Sequence, residues 1–261
     1  MPNLEIEYPE KPSKYSQEEW EARVNLAACY RLTDYYGWTS TVYNHITLRV
    51  PDTDTFLING FGLNYNEICA SNLVLVDLDG NKLSDDDFPI NKAGFIIHSA
   101  IHQARPKDLH CVMHSHEVNS QTLAASKSKL IPLTQEGCQL YERVGYHEFN
   151  GIVLNDEEKE KLINAIGNEK HTLLMRNHGL ITAGPTAAWA FIRHQHFIRN
   201  AEVQLKLMAS NAEMSIISDN ILKHTREQFE GGSAQAGAKV RHPEWPAFWR
   251  LLDSLDEKWK Q

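Results

Sequence analysis

Two histidines separated by one residue, His114 and His116, have the spacing in this sequence that points most directly to chemistry. In a strand, side chains two positions apart project from the same face, so both imidazoles would point to one place. Imidazole nitrogen binds Zn²⁺ and Fe²⁺. The alternative is a pair of half-buried histidines on an ordinary strand.

A third histidine could complete such a site. His178 lies in the segment Arg176-Asn177-His178-Gly179, where a predicted strand meets a glycine and backbone can approach a site closely. On its own, His178 would be read as a hydrogen-bonded turn residue. Together, His114, His116 and His178 would give the three-ligand pattern with an open position that catalytic metal sites use.

Other histidines have weaker arguments. His98 and His102 are four residues apart on a predicted helix and share a face, so one could reach the site, or both could be core residues. His194 and His196 are two apart on a predicted helix, where such residues do not face each other. We therefore expect neither of the second pair to be a ligand.

Composition narrows the class of protein. The chain has 261 residues, 26 Lys and Arg against 34 Asp and Glu, and a net charge of −8. The acidic balance argues against non-specific nucleic-acid binding and against an anionic membrane surface as the main partner. No apolar run approaches the ~18 residues that span a bilayer, and the first residues lack a signal-peptide pattern. Four cysteines without a C-x-x-C pair predict free thiols and a cytoplasmic protein.

Alternating strand and helix patterns predict an α/β layer fold. We expect an N-terminal arm over 1–15, one domain over 16–215, and a tail over 216–261. The strands predicted are 45–50, 55–59, 73–78, 109–116 and two segments within 171–183. The helices predicted are one starting after Ser16, then 92–104, 119–128, 156–166 and one from 185 to about 209. The composition of residues 231–238 indicates a flexible linker. Because three tryptophans follow it, we expect the C-terminal segment to dock on this subunit or on a neighbouring one.

Several segments in the right order resemble the class II aldolase/adducin family over roughly 18–215. They are NHITLR at 44–49, FLINGFGL at 56–63, LVDLDG at 75–80, HSAI at 98–101, ARP at 104–106, HSH at 114–116 and LMRNHGL at 174–180. The resemblance implies a three-layer α/β/α sandwich around a central, mostly antiparallel sheet. It also implies that His114, His116 and His178 bind a divalent metal, and that the protein is a homotetramer with active sites near subunit contacts.

The sequence departs from the family's sugar-phosphate aldolases in ways that affect the expected substrate. Those enzymes carry an acidic residue where this chain has Gly94, four positions before His98. In the phosphate-binding segments, Asn44-His45 stands for Gly-Asn, Phe61 for a hydroxyl residue and Lys92-Ala93 for Ser-Ser. A bulky aromatic removes hydrogen-bond donors and room for phosphate. We therefore expect a non-phosphorylated substrate.

These departures from the family pattern also suggest which residues bind the substrate. His45, Phe61 and Lys92 are predicted to line the substrate site. A substrate carboxylate could be held by Lys92 or by Arg49, whose guanidinium binds carboxylates through two parallel bonds. Tyr141 could line the pocket as well, or simply pack.

Three functions remain open. The first is a metal-dependent lyase that cleaves a carbon–carbon bond beside a carbonyl or hydroxyl group, with the cation as Lewis acid and Glu117 or His98 moving the proton. The second is a non-haem Fe²⁺ oxygenase acting on a 2-oxo or 2-hydroxy acid, possible because imidazoles accept Zn²⁺, Fe²⁺ or Mn²⁺. The third is an adducin-like binding module without chemistry. The presence of all three metal-binding histidines favours an enzyme, because the adducin head domains of this family typically lack a complete set.

Overall fold

A seven-stranded sheet forms the centre of the protein in the computed structural model, which describes residues 5–151, 156–235 and 242–261. Its strands are β1 (His45–Arg49), β2 (Thr55–Asn59), β3 (Leu73–Asp77), β4 (Cys111–Ser115), β5 (Val144–His147), β6 (Thr172–Met175) and β7 (Gly179–Gly184). Their order across the sheet is β3-β2-β1-β4-β7-β6-β5. Neighbouring strands are antiparallel except β5 and β6, which are parallel.

Helices cover both faces of this sheet. They are α1 (Gln17–Tyr35), α2 (Lys92–Ala104), α3 (Val118–Ala125), α4 (Asp156–Ile166), α5 (Ala187–Ser210), α6 (Asp219–Gln235) and α7 (Trp245–Leu255). Residues of β4 alternate between two cores, because successive strand side chains point to opposite faces. Cys111 and Met113 join the core formed with α1, α5 and α7. Val112 joins the core formed with α2 and α4. The predicted three-layer α/β/α sandwich with a mostly antiparallel sheet is confirmed.

Local sequence signals set the helices that flank the site. The Ser16 hydroxyl accepts a bond from the Glu19 backbone N–H and begins α1, as the capping pattern predicts. The bounds of α2 are those predicted, with Asn91 as its N-cap. The four cysteines carry free thiols, as predicted. Within the described residues, no helix combines the length and apolarity needed to cross a membrane.

The C-terminal segment differs from the prediction in one respect. Residues 231–235, predicted as part of a flexible linker, continue helix α6, because glycine lowers helix propensity without excluding a helical backbone. The rest of that linker, 236–238, lies outside the described residues. The three tail tryptophans are buried, and Trp245 donates from its indole N–H to the Asn25 side chain of α1. The domain limits at 15 and 215 stay predictions.

Candidate metal centre

Three imidazoles from two distant parts of the chain converge at one end of the sheet. His114 lies near the end of β4, His116 immediately follows that strand, and His178 belongs to the turn between β6 and β7. One nitrogen from each ring lies within 4.8 Å of the others. The ring centroids are 4.7, 4.8 and 4.9 Å apart, and the Nε2 atoms of His114 and His116 are separated by 2.9 Å.

The turn that carries His178 is shaped to bring it close. Asn177 has a left-handed backbone with φ 55°, a conformation that asparagine adopts more readily than most residues. The His178 N–H donates to the Met175 carbonyl, and its own carbonyl accepts from the Gln121 side chain of α3. A Cβ on Gly179 would lie 2.4 Å from the Ser115 carbonyl oxygen and 3.0 Å from the His116 ring. Only glycine lets β7 approach the histidines this closely.

The state of the three imidazoles suits cation binding. His114 is buried, and its Nδ1–H donates to the Leu180 carbonyl, so its Nε2 lone pair faces the other two rings. Burial, with smaller contributions from the neighbouring histidines, lowers the pKa of His114 well below 6.5 and that of His178 to about 4. Burial also lowers the pKa of His116. Neutral imidazoles are the form that binds metal, so this donor set fits a divalent cation.

A second group of polar side chains lies directly beside this triad. His45 on β1 is paired in register with His114 on β4, and the two ring centroids are 5.0 Å apart. The Nδ1 of His45 lies 2.9 Å from the Nε2 of His98 on α2. A Cβ on Gly94 would lie 2.3 Å from the Nε2 of His45, so the imidazole occupies the space that a side chain at position 94 would need. His98 is thus linked to the triad by its contact with His45.

Glu117 has a defined structural partner set. It is the N-cap residue of α3, and its carboxylate accepts bonds from the backbone N–H groups of Asn119 and Ser120 and from the Asn119 side chain. These bonds satisfy donors that a helix start leaves open. The carboxylate that the sequence offered as a proton carrier is thus engaged in holding the helix.

The predicted substrate-binding residues fall into two places. Phe61 follows β2 at the same end of the sheet as the histidines, with its ring 6.3 Å from that of Tyr43. Lys92, the exposed first residue of α2, lies two residues before Gly94 at that same end.

Arg49 and Tyr141 are not brought to this end. Arg49 closes β1 four residues after His45, about 13 Å along a strand, and pairs with Asp54. Tyr141 precedes β5, with the Arg226 guanidinium 5.9 Å from its ring centroid, at the end of the sheet opposite His178. Neither position fits the predicted contact with a substrate at the histidines.

One large cavity lies away from the histidine triad. Its volume is about 780 Å³, and its lining includes His110, His171 and Pro185. These residues precede β4, precede β6 and follow β7, whereas the triad lies at the other ends of those strands. The chemistry of the donor set, rather than cavity size, identifies the candidate site.

His194 supports the strand that carries the triad from the opposite face. The Ser115 hydroxyl lies 2.6 Å from its Nε2, and the Thr182 hydroxyl lies 2.9 Å from its Nδ1. The Thr182 hydroxyl also donates to the Ala190 carbonyl, so it accepts from the imidazole N–H. These bonds tie β4 and β7 to α5 and engage both ring nitrogens of His194.

Comparisons with known proteins bear on the family and the fold of this chain. Residues 24–205 match the family described as Class II Aldolase and Adducin N-terminal domain. A Pseudomonas aeruginosa protein provisionally named an aldolase class 2 protein is 38% identical over 249 residues, 95% of each chain. Alpha-adducin of Rattus norvegicus is 35% identical over 92% of this chain and 34% of its own length. The structure of an L-fuculose 1-phosphate aldolase from Glaciozyma antarctica superposes with a TM-score of 0.81 at 28% identity, covering 96% of this chain and 97% of that one.

Proposed function

Because this chain belongs to the class II aldolase and adducin family, we propose that it is a metal-dependent lyase acting on a non-phosphorylated, carboxylate-bearing small molecule. The bond broken is a carbon–carbon bond beside a carbonyl or hydroxyl group. The observation that carries this proposal is the convergence of three imidazoles whose nitrogens lie within 4.8 Å of one another.

The three histidines would act together as the ligands of one cation. His114, His116 and His178 hold the cation through neutral ring nitrogens, and the Leu180 carbonyl fixes which nitrogen of His114 faces it. A divalent cation bound there supplies Lewis acidity that polarises a substrate oxygen. The Gln121 bond to the His178 carbonyl holds the turn that presents the third ring.

The proposed absence of a phosphate group is supported by side chains that are already engaged. The L-fuculose 1-phosphate aldolase named above acts, by its name, on a sugar phosphate. In this chain the Asn44 amide donates to the Trp38 carbonyl, and the His45 Nδ1 faces His98. Both nitrogens thus already have a hydrogen-bond partner within the protein. We propose Lys92 as the residue that attracts a substrate carboxylate, since it is exposed at the helix start beside Gly94.

The likeness to alpha-adducin favours a second candidate, a binding module that uses the same fold. Retention of the complete triad supports the enzyme over this alternative. The oxygenase alternative has no counterpart among the relatives named above, although three imidazoles accept Fe²⁺ as well as Zn²⁺ or Mn²⁺. The homotetramer also remains a proposal.

An anaerobic survey tests the lyase. Protein loaded separately with Zn²⁺, Mn²⁺ and Fe²⁺ is incubated with a panel of hydroxy-2-oxo acids, and release of pyruvate or carbon dioxide is followed. L-fuculose 1-phosphate serves as the phosphorylated comparison. We expect cleavage of an unphosphorylated acid without oxygen, abolished by His178→Ala and retained by His224→Ala, an exposed histidine away from the triad. Turnover that occurs only when the assay is repeated in air would favour the oxygenase. No turnover with any metal, with or without air, would favour the binding module.

A further inference from the structure

A chain of hydrogen-bonded side chains runs from the triad into the core between β1 and α2. His45 Nδ1 lies 2.9 Å from His98 Nε2, and His98 Nδ1 lies 2.8 Å from the Thr47 hydroxyl. The same hydroxyl lies 2.8 Å from His102 Nε2, and His102 Nδ1 lies 3.0 Å from the Leu109 carbonyl oxygen. All four side chains are buried.

The regular geometry of the two elements explains this chain. His45 and Thr47 are two residues apart on a strand, so their side chains project from the same face. The two residues are about 6.6 Å apart along the strand. His98 and His102 are four residues apart on a helix, so their side chains also share a face. The two residues are about 6 Å apart along the helix axis. Because the two spacings match, the side chains interleave across the contact between β1 and α2. None of the four needs a water molecule to reach the next.

The carbonyl at the end fixes the direction of every bond in the chain. A carbonyl only accepts, so His102 donates from Nδ1, and its neutral ring must accept at Nε2 from the Thr47 hydroxyl. Burial lowers the pKa of His102 to about 3, which keeps this ring neutral. The Thr47 oxygen then accepts from His98 Nδ1–H. This leaves His98 Nε2 to accept from His45 Nδ1–H.

These hydrogen-bond directions leave one unused lone pair on His45 at the edge of the triad. Since His45 Nδ1 carries the hydrogen, its Nε2 does not. That atom faces Gly94, and the His45 ring centroid lies 5.0 Å from that of His114. No other described residue forms a hydrogen bond with His45 Nε2. The fold thus presents a hydrogen-bond acceptor beside the cation-binding nitrogens.

We propose that His45 Nε2 accepts a hydrogen bond from a substrate hydroxyl next to the atoms that chelate the cation, and that Thr47, His98 and His102 are positioning residues that keep it an acceptor. The inference rests on the proposed function, because it places the substrate at the triad. It names the substrate class more narrowly as a carboxylate with an adjacent hydroxyl group. A ligand without that hydroxyl leaves the lone pair unused.

Paired ligands test this contact without turnover. Zn²⁺-loaded protein is titrated calorimetrically with glycolate and with acetate, which differ by one hydroxyl group. We expect the glycolate-to-acetate affinity ratio to fall about fivefold in His45→Phe, the value of one hydrogen bond of about 1 kcal/mol. Acetate affinity and the content of Zn²⁺ should stay near those of the wild type.

Variants of Thr47 test the positioning role even if His45→Phe does not fold. Thr47→Val removes the hydroxyl and should lower the ratio about as much, whereas Thr47→Ser keeps the hydroxyl and should restore it. Thr33→Val is the matched control, because Thr33 is equally buried but its hydroxyl bonds the Cys29 carbonyl within α1. An unchanged ratio in Thr47→Val with Zn²⁺ bound would overturn this inference alone. Failure of the wild type to bind Zn²⁺ would overturn the proposed function together with it.

Discussion

Substitution of Gly179 by alanine tests the close approach of β7 to the histidine triad. The added Cβ would lie 2.4 Å from the Ser115 carbonyl oxygen, which is a backbone atom of the central strand β4. It would also lie 3.0 Å from the His116 ring and 3.2 Å from the His114 ring. Because the nearest obstacle is backbone, no rotation of a side chain relieves the contact.

The size of the effect follows from these distances. Restoring an ordinary contact of 3.4 Å to the Ser115 oxygen requires β7 to move by about 1 Å relative to β4. Overpacking of this kind costs about 1–3 kcal/mol of unfolding free energy. The movement also carries His178 away from the other two ligands. Disturbing groups that orient metal ligands lowers metal affinity by about 10- to 100-fold, and we expect a loss in that range.

Two assays and one control complete this test. Urea denaturation of the metal-free protein gives the unfolding free energy, and calorimetric titration gives the Zn²⁺ affinity. Gly231→Ala is the control, since nothing lies within 4 Å of its added Cβ on helix α6. It should stabilise the protein by about 0.5–1 kcal/mol and leave Zn²⁺ affinity unchanged. A Gly179→Ala protein that matches the wild type in both assays would refute the described packing of the site.

Three further predictions concern the tail, the helix cap and acid stability. Trp245→Ala should lower the unfolding free energy by about 3–5 kcal/mol in urea denaturation, whereas the exposed Leu255→Ala should change it by less than about 0.5 kcal/mol. Glu117→Ala should cost about 1 kcal/mol through loss of the α3 cap yet retain Zn²⁺ stoichiometry by elemental analysis. Burial lowers the pKa of His102 and His194 from 6.5 to about 3, so protons bind the unfolded chain first as the pH falls. Denaturation of the metal-free protein from pH 6 to pH 4 should show a loss of about 1.4 kcal/mol per pH unit for each of the two, and a flat profile would contradict this.

Local patterns were sufficient to predict the triad and most of the elements. The two-residue period of a strand makes the side chains of His114 and His116 point to the same place, and this follows without knowledge of the neighbouring strands. The apolar run and its caps set α2 at the bounds observed. A turn containing His178 was recognisable from the asparagine and glycine beside it. These features depend on a few consecutive residues.

Features that depend on register between strands were not predictable in this way. His45 faces His114 only because β1 and β4 pair with those residues opposite each other, and one sequence gives no signal of that pairing. The same register places Thr47 between His98 and His102. The short polar residues Asn119 and Ser120, which follow Glu117, were a sequence signal for a helix start at this position. Glutamate is a less frequent cap than aspartate or serine, so a cap there was not expected.

The central claim is that three imidazoles bind one divalent cation, and its most direct test is the cation content of purified protein. Elemental analysis of anaerobically purified wild type, His178→Ala and His224→Ala should be combined with calorimetric titration of the metal-free forms. We predict one tightly bound divalent cation per chain in the wild type and in His224→Ala, and none in His178→Ala. Wild-type protein without a stoichiometric cation, or a His178→Ala protein that binds it equally well, would contradict the account.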